Sequence, residues 1–267
     1  RVRPRGNVVA MRAARATFLD WLDRQGLPHT EPYPCPYVPG LTARQRGFAA
    51  DRLDPELYHE LMDRGFRRSG DVFYAMDCPD CRRCVPLRVP VDGFRPSRSQ
   101  RRTLRRNADV AVVLDRPRFH DETFALYRRY LRHQHPGSPD DESAERFRAA
   151  LYAEVVDSLE ARYLLDGRLV GVSLLDVSRR SWSSVYHFFD PDERRRRIGV
   201  LSALREIELA RAHGVPFYYL GYWIADARTL RYKAEFRPYV LMLHGVSNER
   251  LLQRPGRANA PGANVPN

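Results

Sequence analysis

The stretch from Ala161 to Val177 narrows the fold more than any other. Tyr163 to Leu165 and Leu169 to Val177 are apolar, partly β-branched runs joined by Asp166-Gly167. An Asp-Gly pair between two such runs predicts a β-hairpin, because the favoured two-residue turn needs positive φ at both central positions. More sheet follows. Ser183 to Phe189 reads as a strand, Val200 to His213 as a helix and Pro216 to Leu220 as a strand. A short helix is expected near 226–232, and a last strand from Tyr239 to Val246. A hairpin, a strand, a helix and a strand define an α/β (α+β) domain.

The upstream half has a different grammar. A basic extension, residues 1–30, carries one short helical pattern from Thr17 to Arg24. The proline-rich PHTEPYPCPYVPG must be extended and irregular. Asp54 and Pro55 then open a helix as N-cap and first helical residue, Gly65 closes it, and Leu57, Tyr58, Leu61 and Met62 form its apolar face. Strands are expected at Asp71 to Met76 and Pro86 to Val91. Ser97 to Gln100 is a capping box opening a helix that runs to Asn107. A strand from Asp109 to Leu114 and helices near 120–134 and 142–158, parted by HPGSPDD, complete the reading. The implied units are residues 1–30, a cysteine-bearing module over 31–108, an α/β domain over 109–250 and a disordered tail over 251–267.

Gly65 to Arg88 concentrates chemistry. It holds Cys78, Cys81 and Cys84 as C-x-x-C-x-x-C, with Cys35 upstream as the fourth cysteine of the chain. Thiolates two residues apart can converge on one ion. Zinc sites more often use paired knuckles, triplet spacing beside a proline is nearer to iron–sulfur patterns, and reduced thiols are the plain alternative. No secretory signal precedes them, so disulfides are not expected and a cytoplasmic location is. No apolar run approaches the ~20 residues that span a bilayer, so no membrane partner is expected.

Lys and Arg number 45 against 33 Asp and Glu, a formal charge of +12 carried almost wholly by arginine. Part of that bias is compositional, but the net excess favours anionic partners. Arg98, Arg101, Arg102, Arg105 and Arg106 on one short helix suit a phosphate backbone. Arg67-Arg68, after a glycine turn, suits a carboxylate or phosphate. Arg194 to Ala203 resembles the pyrophosphate loop of acetyltransferases at a helix start, but Leu201 stands where that loop has glycine or alanine and is expected to obstruct it. Gly221 ends the aromatic run Tyr218 to Leu220, a place for close backbone approach by a ligand.

Read together, PCPY, GFRRSG, C-x-x-C-x-x-C-x-P-x-R-V, SRSQRR, L-Y-x-x-Y, Y-x-F-F-D-P, Y-L-G-Y and Y-K-x-x-F-x-P resemble the aminoacyl-tRNA–protein transferases. The nearest pattern is that of the bacterial aspartate/glutamate leucyltransferases, with the eukaryotic arginyltransferases as relatives. The resemblance runs from about Pro34 to Pro238 and departs at HQHPGSPDD. It implies an acyl-CoA N-acyltransferase (GNAT)-like mixed sheet behind an N-terminal cysteine module. Aminoacyl-tRNA takes the place of acetyl-CoA, which is not expected to bind. It also implies zinc or an iron–sulfur cluster on Cys35, Cys78, Cys81 and Cys84, and tRNA contacts at Arg98, Arg101, Arg102 and Arg105.

The expected reaction moves leucine, or arginine, from charged tRNA to the N-terminal amine of proteins beginning with Asp or Glu, marking them for N-degron degradation. On this reading Arg67 or Arg68 clamps the acidic acceptor, and Tyr74 joins them in binding substrate. Tyr186 and His187 position the amine or relay its proton, and Tyr222 and Lys233 hold the tRNA end. A conventional acetyltransferase and a non-catalytic tRNA-binding module are the alternatives.

Overall fold

In the computed structural model, residues 15–22, 24, 26–134, 143–243 and 246–247 are described. Most of the basic extension, the HPGSPDD breaker and the 251–267 tail lie outside them. Residues 15–22 form helix α1, where the helical pattern predicts it. The proline-rich segment is extended, as expected, and its strand β1, Tyr33–Pro34, pairs with β2, Thr42–Ala43. Strand β3, Gln45–Ala49, was not legible in the sequence. It is paired antiparallel with β5, Val72–Met76, which pairs in turn with β4, Arg67–Ser69.

Helix α2, Pro55–Asp63, starts where predicted. The Asp54 carboxylate accepts the Leu57 amide at 2.9 Å, a cap worth about 1 kcal/mol. Arg64 caps its end and Gly65 follows at φ +90°. Strand β6, Val85–Pro90, leads to α3, Arg98–Arg106, whose Ser97–Gln100 capping box is closed in both directions. Strand β7, Val110–Asp115, and helices α4, Asp121–Gln134, and α5, Ala144–Leu151, come next. The helix expected to reach 158 stops at Leu151. Val155 and Val156 drop into the apolar cluster beneath α2 instead, and the hairpin begins at Ser158, earlier than its β-branched core suggests.

That hairpin is β8, Ser158–Leu165, and β9, Arg168–Val177, with Asp166 at φ +50° and Gly167 at +79°. Strand β10, Ser181–Phe189, is followed by a 3₁₀ turn, Pro191–Arg196, and by α6, Ile198–Ala212. After β11, Phe217–Trp223, the expected short helix is a 3₁₀ turn shifted to Arg231–Glu235. The last predicted strand is two pieces, β12, Val240–Leu243, and β13, Val246–Ser247, paired with each other.

The main sheet has eight strands in the order β13-β12-β6-β11-β10-β9-β8-β7. It is antiparallel throughout except for β10 and β11. The hairpin, strand, helix and strand order expected of a GNAT-like sheet is therefore present. The division drawn at 108/109 does not coincide with a break in it, because β6 sits between β11 and β12. Helix α6 covers one face through Ile198, Leu201, Leu204 and Ile207. On the other face α4 and α5 pack on Val172, Leu174 and Phe188, and α2 packs by Tyr219. Cover on both faces explains why β9 is nearly continuous in apolar residues.

Candidate active site

The parallel pair β10 and β11 is in register only over Ser181–Phe217, Trp182–Tyr218 and Ser183–Tyr219. Beyond it each strand has an irregularity, at Ser184/Tyr186 and at Tyr219/Gly221, and each keeps only its outer partner. The facing edges part. A cavity of about 630 Å³ opens in the gap, lined also by Arg197 to Val200 at the start of α6 and by Thr229, Leu230, Tyr232 and Lys233.

Six of the predicted site residues line this cavity: Arg67, Tyr74, Tyr186, His187, Tyr222 and Lys233. Arg67 is 7% exposed. Its Nη1 donates to Ser183 Oγ at 2.9 Å and its Nη2 to the Ser184 carbonyl at 2.5 Å, filling the edge that the parting strands leave open. Lys233 Nζ donates to the Tyr222 carbonyl at 2.9 Å on the opposite edge. Burial, reinforced by the Arg67 charge, pulls Lys233 down to about 7. Gly221, at φ +84°, lies between them. A Cβ there would sit 3.4 Å from Arg67 Nη2 and 3.4 Å from Lys233 Nζ.

His187 is held from behind. Its Nδ1 is 2.8 Å from Ser173 Oγ, and it also bonds the backbone at Val172. Ser173 in turn bonds the buried carboxyl of Glu206, which also accepts from Tyr163 and Tyr218. With the Ser173 proton drawn to Glu206, the serine oxygen accepts Nδ1–H. That leaves the Nε2 lone pair buried and without a partner among the described residues. Burial pulls the imidazole down to about 4, so it is neutral at physiological pH. Gly199 lies against the ring, with a virtual Cβ 3.9 Å from Nε2. Neither Ser173 nor Glu206 carries a sequence signal: Ser173 is a single polar residue in an apolar run, and Glu206 is one charged residue among several on its helix.

Three expectations need correction. Arg68 is not in the cavity. Strand alternation turns it to the other side of β4, where its Nε and Nη2 grip Asp176 at 2.7 and 2.6 Å. Tyr222 presents its ring, but its hydroxyl donates to the Gly65 carbonyl at 2.7 Å and accepts the Met76 amide at 3.3 Å, so it ties the module to the sheet. Leu201 does not obstruct the loop. Arg197 enters α6 at φ +59° and the helix starts at Ile198, which turns Leu201 fully into the core.

The α3 arginines Arg98, Arg101, Arg102 and Arg105 are outside the cavity and exposed. Arg101 bonds the Pro96 carbonyl, whereas Arg98, Arg102 and Arg105 have no ion pair among the described residues. The helix abuts the arginine turn. Arg106 donates to the Arg195 carbonyl at 2.8 Å, Asn107 to the Arg196 carbonyl at 2.9 Å, and Arg197 to Ser99 at 3.0 Å. Exposed cations thus continue from α3 through Arg194 and Arg195 to the cavity.

The cysteines occupy the far side of Tyr222. Cys78, Cys81 and Cys84 line a separate cavity of about 490 Å³ with Arg46, Arg64 and Arg82. Burial, then Cys78, Cys81 and Cys35, push the Cys84 thiol up to about 12, so the four sulfurs share one neighbourhood. The donor chemistry suits zinc or an iron–sulfur cluster. The spacing does not: among the described residues no group of three or more His, Cys, Asp or Glu is close enough to hold a metal ion.

The chain matches known proteins over most of its length. Residues 33–102 match the family described as arginine-tRNA-protein transferase, N terminus, and residues 122–243 match its C terminus. An aspartate/glutamate leucyltransferase of Chromobacterium violaceum is 42% identical over 218 residues, 81% of this chain and 90% of that protein. The chain belongs to the aminoacyl-tRNA–protein transferase family. The transferase is 38% identical to an aspartate/glutamate leucyltransferase of Pseudomonas paraeruginosa, over 80% of this chain and 92% of the relative. Among solved structures, the C-terminal domain of a putative lysylphosphatidylglycerol synthetase from Agrobacterium fabrum superposes with a TM-score of 0.46 at 14% identity, covering 88% of this chain and 92% of that one. FemX gives 0.42 at 11% identity, over 78% and 81%. Among the described residues of the transferase, no helix is long and apolar enough to cross a membrane.

Proposed function

We propose that the transferase moves leucine from leucyl-tRNA, in the cytoplasm, to the N-terminal amine of proteins beginning with Asp or Glu. The observation that carries this reading is the continuity of the arginine surface of α3 with a cavity formed between parted strands. The surface suits the phosphates of a tRNA end, and the cavity suits the ester it carries. Names of the relatives favour leucine over arginine as donor. N-degron marking is the consequence proposed for the product.

The amine nitrogen attacks the ester carbonyl. A C–N bond forms, the C–O bond to the terminal ribose breaks, and the amine's proton ends on the released ribose oxygen. The ester is already activated, so alignment in the gap is the main catalytic task. His187, neutral and lining the cavity, takes the proton from the attacking nitrogen and returns it to the leaving oxygen. Tyr186 and Tyr74 confine the leucyl group and the acceptor chain. Zinc or an iron–sulfur cluster on Cys35, Cys78, Cys81 and Cys84 is a separate proposal, supported by the chemical type of the donors alone, and no step above passes through it.

The test mixes anaerobically purified protein with an acidic-N-terminus peptide and either leucyl- or arginyl-tRNA, and reads peptide mass. A leucine increment is expected. An arginine increment would change the donor. Binding of tRNA without any increment would reduce the chain to a binding module, and modification by acetyl-CoA alone would favour the acetyltransferase alternative.

A further inference from the structure

The cavity has a charge imbalance that the transfer step does not use. Arg67, Arg197 and Lys233 line it, and among the described residues no Asp or Glu does. Arg67 is buried with only neutral partners: Ser183 Oγ, the Ser184 carbonyl and a long contact to Met62 Sδ at 3.9 Å. Lys233 spends one of its three donors on the Tyr222 carbonyl. Removing a cation from water without a counter-charge is costly. The arrangement is therefore matched to a ligand that brings its own negative charge. The two cations come from different parts of the chain, β4 and the Arg231–Glu235 turn. They meet at Gly221, the one position in β11 without a side chain to fill the space between them.

We infer that Arg67 and Lys233 together form the carboxylate clamp that selects an acidic first residue in the acceptor protein. This rests on the transfer reading above and sharpens it. Arg67 Nη2 and Lys233 Nζ each lie 3.4 Å from the point a Cβ on Gly221 would occupy, so a carboxylate laid over Gly221 can accept from both. A neutral amide of the same shape leaves the cations uncompensated and puts an NH₂ group against one of them. Lys233 thereby moves from the tRNA end, where the sequence placed it, to the acceptor. Arg68 has no part in recognition. A phosphate of the tRNA end is the other source of an anion, and the experiment separates the two.

Fluorescence anisotropy of labelled peptides that differ only in a first residue of Asp or Asn reads the clamp without any transfer step. The wild-type protein is expected to bind the Asp peptide at least ~10-fold more tightly, the range given by hydrogen bonds to charged groups. Arg67→Met and Lys233→Met should each bring the Asp peptide to within about threefold of the Asn peptide, while Lys233→Arg keeps the preference. Leucyl-tRNA affinity should stay within about twofold in all three. Equal binding of both peptides by the wild type, or equal loss of both in the variants, would overturn the clamp. So would a drop in leucyl-tRNA affinity with the Asp preference intact, which would assign the cations to a donor phosphate. The mass-based transfer assay, run in parallel, reports failure of the transfer reading independently.

Discussion

Arg67 and Arg68 are neighbours on a three-residue strand, equally buried at 7% and 5% exposure, and their surroundings are opposite. Arg68 faces Asp176, itself 2% exposed, and makes a two-point contact with its carboxylate. It also donates to the Gly70 carbonyl at 3.1 Å. Every charge there has its counter-charge inside the protein. Arg67 faces the splay and meets hydroxyl, carbonyl and sulfur groups but no carboxylate. One arginine fastens the N-terminal module to the hairpin sheet. The other leaves an unmet charge in a cavity. The difference teaches that burial of an arginine does not decide its role; the sign of what it faces does.

The largest expected effect comes from breaking the matched side. Asp176→Ala leaves Arg68 buried without its carboxylate and should cost about 3–5 kcal/mol of stability, read as a fall in the urea midpoint. The double variant Arg68→Met, Asp176→Leu should recover most of that loss, since a buried pair exchanged for apolar residues is often near neutral. If the single variant costs less than ~1 kcal/mol, the pair is not the fastener described here.

The unmatched side should respond to pH. Lys233 is pulled from the ordinary lysine range to about 7, so between pH 7 and 10.5 the unfolded chain holds a proton that the folded chain has lost. Stability contributed by this group therefore rises with pH across that window and is lowest below it. Lys233→Met should flatten the rise, on the order of 1–3 kcal/mol for a partly exposed group whose full shift is worth ~1.4 kcal/mol per unit. Denaturant midpoints at pH 7 and pH 9, compared between the two proteins, measure it. A saturating acidic peptide should also shrink the rise in the wild type, by keeping Lys233 charged.

The smallest effect belongs to charges that face only water. Arg102→Gln, outside both sites, should leave stability unchanged within ~0.5 kcal/mol. It should weaken tRNA binding only modestly and lower the slope of log affinity against log salt by about 1. An unchanged slope would remove α3 from the tRNA surface.

Much of the molecule was legible in the linear chain because its signals are local. The Asp166-Gly167 turn, the Asp54-Pro55 helix start and the Ser97–Gln100 capping box each depend on residues within one turn of each other, and each appears where expected. The element order from the hairpin to β12 follows from the same kind of signal, and the separated motifs pointed to the family. Signals that need a distant partner were not readable. Strand β3 is built from residues with no alternation to mark it, and it exists because β5 and the backbone at Pro28 and Asp71 pair with it. The end of α5 is set by Val155 and Val156 packing under a helix about a hundred positions earlier.

The site divides along the same line. The sequence by itself determined which residue types were available: the arginine pair, the Tyr186-His187 strand, the glycine that ends an aromatic run, and the exposed basic helix. It did so because periodicity, capping and turn chemistry act over a few residues. Only the tertiary structure decided which of them meet. The parting of β10 from β11 opens the cavity. The alternation of β4 sends Arg67 into it and Arg68 away from it. The turn at 231–235 brings Lys233 to Gly221, and Glu206 on α6 reaches Ser173 behind His187. Each of these depends on a charge or hydrogen-bond partner far away in the chain, and electrostatic complementarity of that kind is set by distance in space, which spacing in sequence does not record.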